Sequence, residues 1–218
     1  MSPSGSETTS TDDDPYADQR ADMVERQLRR RGIGDERVLA AMAEVPRERF
    51  VPEADRRRAY RDGALRIGEG QTISQPWIVA SMAELLELEG HERVLEVGTG
   101  SGYAAAVLSR LCREVLTIER HESLAEAAGG VLHELGYDNV EVRVGDGAQG
   151  APDRAPFGGI SVTATAAGGP PQALVEQLVP GAALVCPVER DRRELLMRFR
   201  DGAEEAFAAV RFVPLVSE

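Results

Sequence analysis

The sequence V-L-E-V-G-T-G-S-G-Y at residues 94–103 decides the fold of this chain of 218 residues. Its first four residues form a short, mostly apolar run that is typical of a buried strand, and the residues after it favour a helix. Between the two lie three glycines, Gly98, Gly100 and Gly102, at every second position. Because glycine has no side chain and the first turn of a helix has free N–H groups, this turn predicts close backbone contact with a ligand.

The spacing of these glycines distinguishes two classes of nucleotide-binding turn. Nicotinamide-binding proteins carry G-x-G-x-x-G, whereas here Tyr103 stands where the third glycine would be. The pattern E-x-G-x-G-x-G is instead typical of the turn over which S-adenosylmethionine lies in methyltransferases. We therefore expect this cofactor to contact Gly98, Thr99, Gly100, Ser101 and Gly102. A tight strand–helix turn without a ligand is the alternative.

Outward from this turn, strand and helix patterns alternate along the chain. Apolar runs at 93–97, 115–118, 140–144, 160–165 and 183–188 predict strands, and segments at 104–111, 123–135 and 171–178 predict helices. A further helix begins at Pro76, and 194–200 with 207–216 predict a closing hairpin. This alternation predicts a doubly wound α/β fold: a mainly parallel, seven-stranded, Rossmann-like methyltransferase sheet with an N-terminal helical extension and a C-terminal antiparallel hairpin.

The chain before the sheet divides by composition into two parts. Residues 1–15 are mostly Ser, Thr, Gly, Pro and Asp, which cannot bury enough apolar surface to become ordered, so we predict a disordered acidic tail. Residues 16–76 form the predicted helical, substrate-side segment, with a first helix that ends at Gly32 and a second that ends before Pro46. Residues 77–218 form the predicted S-adenosylmethionine-binding core, which makes one compact domain with 16–76.

Composition excludes several chemistries. All 25 basic residues are arginine, so the chain offers no lysine for a Schiff base or a P-loop. The three histidines form no H-x-x-x-H pair and the two cysteines no C-x-x-C, so we predict no metal site and no disulfide framework. The net charge of −12 argues against a nucleic-acid partner. With no long apolar run and no signal peptide, we predict no membrane association and a cytoplasmic location.

Two acidic residues follow the next two predicted strands. Glu119 ends the strand after the glycine turn, where a carboxylate can accept hydrogen bonds from both ribose hydroxyls. Asp146 lies in G-D-G, where it can accept from an adenine amino group while Gly147 permits close approach of the ring. A surface glutamate and a plain D-G turn are the alternatives. Three sites at three successive strand ends favour one common ligand.

A second informative segment is I-G-E-G-Q-T-I-S-Q-P at 67–76. By itself it permits a plain interpretation, in which Thr72 or Ser74 caps the helix that begins at Pro76. Together with the glycine turn, T-I-E-R at 117–120, G-D-G-x-x-G at 145–150 and V-R-F-V-P-L-V at 210–216, it resembles the protein-L-isoaspartate O-methyltransferase family. The resemblance covers roughly residues 20–216, and the Q-T-I-S-Q-P segment is its most specific part.

The resemblance implies transfer of a methyl group from S-adenosylmethionine to the free α-carboxylate of an isoaspartyl residue in a protein or peptide, with S-adenosylhomocysteine as the second product. The ester then collapses to a succinimide, which hydrolyses partly to normal aspartate. The resemblance further implies that Ser74 is the active residue, that Gln71, Thr72 and Ile73 contribute to the cofactor site, and that the enzyme is a monomer.

The chemistry of the substrate supports a reaction without a general base. A carboxylate has a pKa of about 4 and is already ionised at neutral pH, and no histidine or cysteine is expected near the motifs. We expect the Ser74 hydroxyl to hold one carboxylate oxygen and to aim the other at the methyl group. Proximity and orientation would then supply most of the rate.

Three positions depart from the family pattern. Gly158 stands where the family usually has aspartate, and Ala182 and Glu189 stand where it commonly has glycine.

Two other functions stay open. One alternative is a dedicated aspartyl O-methyltransferase that forms an aspartimide in a natural-product precursor peptide. The other is a homologue that binds S-adenosylmethionine without turnover, against which Glu119, Asp146 and Ser74 argue.

Overall fold

A computed structural model of the chain describes residues 14–217 and contains a short β-hairpin and one large mixed sheet. The hairpin consists of β1 (Leu65–Gly68) and β2 (Gln71–Ile73). The large sheet consists of β3 (Arg93–Val97), β4 (Glu114–Glu119), β5 (Val140–Val144), β6 (Phe157–Val162), β7 (Ala166–Ala167), β8 (Leu178–Arg190), β9 (Arg193–Arg200) and β10 (Ala203–Ala209).

The order of strands across the large sheet is β5-β4-β3-β6-β8-β9-β10, with the two-residue β7 beside β8. The neighbouring pairs β5–β4, β4–β3, β3–β6 and β6–β8 are parallel, whereas the pairs β8–β9 and β9–β10 are antiparallel. The predicted sheet of seven main strands with a closing hairpin is confirmed. From β3 the chain winds first to one edge and then, through β6, to the other. Ligands of doubly wound sheets bind beyond the carboxyl ends of the strands at this reversal, so the topology directs the site to the ends of β3 and β6.

In the described part of the chain six α-helices accompany the strands: α1 (Ala17–Asp22), α2 (Glu36–Glu44), α3 (Pro76–Leu85), α4 (Tyr103–Ser109), α5 (Glu122–Glu134) and α6 (Gln172–Val175). Side chains alternate between the two faces of a strand, and successive residues of β3 accordingly enter two different cores. Val94 packs with residues of α2 to α5, and Leu95 packs with a second cluster that includes Leu174 of α6. The predicted strand–helix alternation is thus present, and it buries both faces of β3.

The N-terminal segment packs into the first of these cores. Helix α1 continues as a π-helix (Met23–Leu28) and a 3-10 helix (Arg29–Arg31), and the chain then turns at Gly32, whose φ is +97°. The predicted end of this helical segment is confirmed. Two further 3-10 helices, Arg47–Phe50 and Glu53–Arg58, follow α2. Met23 and Met42 are fully buried in the same cluster as Tyr103, so N-terminal residues and residues of the sheet domain share one apolar core.

The predicted tail over 1–15 lies outside the described residues except for its last two. Asp14 accepts hydrogen bonds from Tyr16 N at 2.9 Å and from Arg20 Nη2 at 2.8 Å. The domain boundary between 76 and 77 stays a prediction, and α3 begins at Pro76 itself. Within residues 14–217, every helix is too short or too polar to cross a bilayer.

One predicted strand, 160–165, was placed three residues too late. Strand β6 begins at Phe157, since the pair Gly158-Gly159, which resembles a turn, lies inside it. A Cβ built on Gly158 would lie 2.8 Å from the Cβ of Glu92, and one on Gly159 would lie 3.2 Å from Leu88 Cδ2. Both glycines therefore permit close packing of β6, and an aspartate at 158 would collide with Glu92.

The second predicted strand of the hairpin, 207–216, was also wrong in its bounds. Asp201 and Gly202 have φ values of +49° and +79° and form the turn, so β10 begins at Ala203 and ends at Ala209. The following residues leave the hairpin and return to the sheet at Thr165. Thr165 N donates to Val213 O and Leu215 N donates to Thr165 O, both at 2.8 Å. We call residues 210–216 the C-terminal strap.

Strand β3 carries one buried carboxyl group, that of Glu96, which is fully buried. Its Oε2 accepts a hydrogen bond from Thr117 Oγ1 at 2.6 Å, and Thr117 Oγ1 lies 2.7 Å from Thr99 Oγ1. Among the described residues, Glu96 Oε1 has no hydrogen-bond partner. Burial, together with the charge of Glu119, raises the pKa of Glu96 to about 8. Glu96 therefore keeps its proton at neutral pH in the folded protein.

This shift predicts how stability depends on pH. Because the folded state holds a proton on Glu96 that the unfolded state releases above its ordinary pKa of 4.5, this group's contribution to the free energy of unfolding falls as pH rises from 4.5 to about 8. The Glu96→Gln substitution removes this titration. Urea unfolding at pH 5.5 and pH 8 should show the variant gaining stability relative to the wild type by about 1 kcal/mol or more at the higher pH.

The matched control is Glu126→Gln, which changes an exposed glutamate on α5. Its stability relative to the wild type should change little between the two pH values. If the difference in the free energy of unfolding between the wild type and the Glu96→Gln variant stays constant from pH 5.5 to pH 8, Glu96 is ionised in the folded state.

Candidate active site

A cavity of about 670 Å³ opens at the carboxyl ends of β3, β4 and β6. A volume of this size accommodates a ligand of the dimensions of a nucleoside with an amino-acid side chain. Ten of the residues predicted for the site line it: Gln71, Thr72, Ile73, Ser74, Gly98, Thr99, Gly100, Ser101, Glu119 and Gly147. The segment 71–74 and the glycine turn, 24 residues further along the chain, thus face one space.

The glycine turn keeps its shape through contacts that exclude other residues. Gly98 has a φ of +95°, and a Cβ on it would collide with Thr163 Oγ1, which donates to Gly98 O at 2.8 Å. Gly100 has a φ of +54°, and a Cβ there would lie 3.4 Å from Ile67 Cδ1. The turn therefore presents backbone rather than side chains to the cavity.

Glu119 connects the glycine turn to the end of β4. It is 5% exposed, its Oε2 accepts from Gly100 N at 2.9 Å, and its Oε1 accepts from His121 N at 3.0 Å. A carboxylate offers about four acceptor positions, so each oxygen can accept one further hydrogen bond from the cavity. This arrangement suits a ligand that presents two hydroxyl groups side by side.

Two predicted residues, Gly102 and Asp146, do not line the cavity. A Cβ on Gly102 would lie 3.2 Å from Leu132 Cδ1 and 3.3 Å from Ala128 Cβ, so this glycine permits α4 to pack closely on α5. Asp146 Oδ1 accepts from Ala148 N at 2.9 Å at the start of a 3-10 helix. The cavity wall beside it is Gly147, where a Cβ would collide with Val97 Cγ1.

Ser74 lies between β2 and α3, and its surroundings bear on whether it caps the helix or offers its hydroxyl to a ligand. Gln75 is the N-cap of α3, and its side chain donates to Asp62 Oδ1 rather than to the helix. Within residues 14–217, neither Thr72 nor Ser74 makes a side-chain hydrogen bond that caps the helix. The Ser74 backbone is held by Arg47, whose Nη2 donates to Ser74 O at 2.7 Å. The Ser74 hydroxyl is therefore available to a ligand in the cavity.

Sequence patterns missed three parts of the wall. Thr163 lies just beyond β6, where a hydroxyl residue after an apolar strand was the available signal. The C-terminal strap lines the cavity as well, because it does not continue as a strand. His121 also lines the cavity, so the expectation of no histidine near the motifs was wrong: His121 directly follows T-I-E-R, and Glu119 orients its backbone.

The geometry combines a nucleoside-type subsite with a separate hydroxyl. Glu119 and the glycine turn supply acceptors and backbone for a polar ligand, and Ser74 supplies a hydroxyl donor elsewhere on the same wall. Ser74 is not paired with a base, since within residues 14–217 its Oγ makes no hydrogen bond. Such a site can hold two ligands against each other and orient a group transfer between them.

Comparisons with known proteins agree with this geometry. A family model described as Protein-L-isoaspartate(D-aspartate) O-methyltransferase matches residues 18–218. The protein-L-isoaspartate O-methyltransferase of Pelotomaculum thermopropionicum is 54% identical over 214 residues, which is 95% of this chain and 92% of that protein. That of Roseiflexus castenholzii is 52% identical over 205 residues, which is 92% of this chain and 93% of that protein.

A solved structure matches as well. The protein-L-isoaspartate O-methyltransferase from Plasmodium falciparum, solved in complex with S-adenosyl-L-homocysteine, superposes with a TM-score of 0.77 at 25% identity, over 90% of this chain and 98% of that one. Fold, family model and nearly full-length relatives therefore agree, and this chain belongs to the protein-L-isoaspartate(D-aspartate) O-methyltransferase family.

Proposed function

We propose that this protein uses S-adenosylmethionine to methylate the α-carboxylate of L-isoaspartyl residues in damaged proteins and peptides. One observation carries the proposal: the glycine turn with Glu119 and the hydroxyl of Ser74 line the same cavity. The first set suits the nucleoside of the methyl donor, and the second suits a carboxylate. The resulting ester would collapse to a succinimide after release and hydrolyse partly to normal aspartate, which starts repair.

The donor side of the site fits S-adenosylmethionine. Gly98 and Gly100 line the cavity in conformations with positive φ, and Glu119 retains acceptor capacity for two ribose hydroxyls. Gly147 lines the cavity without a side chain, which suits close approach of an adenine ring. We assign the donor site to Gln71, Thr72, Ile73, Gly98, Thr99, Gly100, Ser101, Glu119 and Gly147. Gly102 shapes it from behind, and Asp146 lies at its border.

The substrate side depends on Ser74. Its hydroxyl donates to one oxygen of the isoaspartyl carboxylate and leaves the other oxygen free to face the donor. Because the carboxylate is already ionised at neutral pH, no residue has to remove a proton. His121 therefore needs no part in the chemistry, although it lines the cavity.

When bound, S-adenosylmethionine supplies a methyl group on a positively charged sulfur, and the S–C bond breaks as the O–C bond forms. The protein's residues contribute by holding the two partners in line. Orientation of this kind can lower a barrier by roughly 7–11 kcal/mol. The apolar residues Ile78, Val79 and Met82 of α3 line the same cavity and make this part of its wall apolar.

We further propose that the enzyme acts as a monomer in the cytoplasm. The predicted donor residues and Ser74 line one cavity of a single chain, which is compatible with a monomeric enzyme. Cys112 and Cys186 are both buried free thiols, as a reducing compartment allows.

The donor site is tested by Gly100→Val. Gly100 lines the cavity with a φ of +54°, so a branched side chain there would strain the turn and crowd the backbone that is expected to contact the donor. Calorimetry should show at least a tenfold loss of affinity for S-adenosylhomocysteine. The matched control is Gly136→Val, since Gly136 is exposed, has a similarly positive φ of +73° and would meet no atom within 4 Å. Unchanged affinity in a folded Gly100→Val variant would refute the donor site.

The substrate side is tested by Ser74→Ala on an isoaspartyl peptide. Loss of one hydrogen bond to a charged group costs about 1.5–3 kcal/mol, so turnover should fall about ten- to a hundredfold. Thermal melting and donor affinity should stay unchanged, and Ser74→Thr should be intermediate because its extra methyl group crowds the site. Steady-state kinetics with melts alongside measure both effects.

Ser81→Ala is the control for this substitution. Ser81 lies on α3, is buried and donates to Trp77 O at 2.8 Å. Its removal should lower stability slightly and leave turnover per folded molecule unchanged. A Ser74→Ala variant that is destabilised but fully active would make Ser74 a structural residue, and a wild type that forms no ester on the peptide would contradict the function itself.

A further inference from the structure

Arg47 is a fully buried arginine that lies directly behind the substrate side of the cavity. Its Nε donates to Ala59 O at 2.8 Å and its Nη2 donates to Ser74 O at 2.7 Å. Its guanidinium carbon lies 4.7 Å from the centre of the Tyr103 ring. Ser74 and Tyr103 both line the cavity, so one layer of residues separates the guanidinium from whatever binds there.

The positive charge of Arg47 has no counter-charge in the described part of the chain. No carboxylate within residues 14–217 lies within 4 Å of its guanidinium, and its buried Nη1 has no hydrogen-bond partner. The adjacent Glu48 instead accepts a short hydrogen bond from Tyr60 Oη and lies 3.5 Å from Arg20 Nη2. Burial lowers the pKa of Arg47, but a guanidinium starts so high that it stays charged.

An uncompensated buried cation is costly, and a negative charge placed near it recovers part of that cost. The cavity wall at Ser74 is where the proposed substrate brings a carboxylate. A neutral group of the same shape would gain much less from the charge. The position of Arg47 therefore favours an ionised carboxylate at Ser74 over an uncharged amide.

We propose that Arg47 is a specificity-determining and positioning residue that makes the Ser74 side of the cavity select a carboxylate. The inference rests on the proposed function, because it takes the isoaspartyl carboxylate as the group bound at Ser74. Arg47 acts through Ser74 and through its charge and does not touch the reacting atoms. Since the carboxylate loses its charge as the ester forms, Arg47 stabilises the bound substrate more than the transition state, and its removal raises KM more than it lowers kcat.

The test compares two peptides of one sequence: an isoaspartyl peptide and its analogue with an α-carboxamide in place of the α-carboxylate. Calorimetry in the presence of S-adenosylhomocysteine measures binding without turnover. The wild type should prefer the acid by about tenfold or more, as expected for one charge pair in a protein interior. Arg47→Gln should lose most of this preference because it weakens the binding of the acid peptide alone, and Arg47→Lys should keep the preference.

Arg37→Gln is the matched control. Arg37 also donates to two backbone carbonyls, those of Leu88 and Leu111, but neither Arg37 nor these two residues line the cavity. This variant should keep the wild-type preference for the acid. Melting curves establish which variants are folded.

The outcomes separate this inference from the proposed function. If Arg47→Gln weakens the binding of both peptides equally, Arg47 has a structural role only, and the inference is overturned. If Arg47→Gln does not fold, loss of the acid preference in a folded Arg47→Lys variant, or its absence in the wild type, overturns it as well. Failure of the proposed function would appear separately, as a wild type that forms no methyl ester on the isoaspartyl peptide.

Discussion

The hydrogen bond from Gly100 N to Glu119 Oε2 is the interaction on which the site depends. It ties the turn after β3 to the end of β4, so the two neighbouring strands present one continuous edge. In the turn that makes this hydrogen bond, Gly98 and Gly100 both adopt positive φ values. A side chain at Gly98 would collide with Thr163 on the other neighbour of β3. Contacts with both neighbours of β3, through Glu119 at the end of β4 and through Thr163 just beyond β6, therefore hold the turn in place.

The electrostatics of the cavity differ between its two sides. On the donor side, Glu119 contributes a carboxylate, whereas the buried Glu96 adds no charge at neutral pH because burial raises its pKa to about 8. On the other side, the Arg47 guanidinium lies behind Ser74 without a carboxylate partner among the described residues. A cationic methyl donor and an anionic acceptor are the two ligands that such a division suits.

The sequence predicted the parts of this structure that depend on local patterns. The strand before the glycine turn was predicted as 93–97, as observed for β3, because an apolar run bounded by glycine is unambiguous. The start of β6 was predicted wrongly, because a Gly-Gly pair resembles a turn. Close packing of Gly158 against Glu92 depends on the tertiary structure, which the local pattern does not contain. The strap was missed because V-R-F-V-P-L-V has a strand composition, and its departure from β10 depends on the tertiary contact with Thr165. Arg47 gave no signal, because a buried arginine is not distinguishable by pattern from an exposed one.

The central claim is that this cavity orients an isoaspartyl carboxylate toward a methyl donor. The most direct measurement gives the enzyme labelled S-adenosylmethionine and two peptides of one sequence, one with an isoaspartyl and one with an aspartyl residue at the same position. We expect label in a base-labile ester on the isoaspartyl peptide and none above background on the aspartyl peptide. Label on the aspartyl peptide alone would indicate a dedicated peptide-modifying enzyme, and donor binding without label on either peptide would indicate a binding protein; both would contradict the claim.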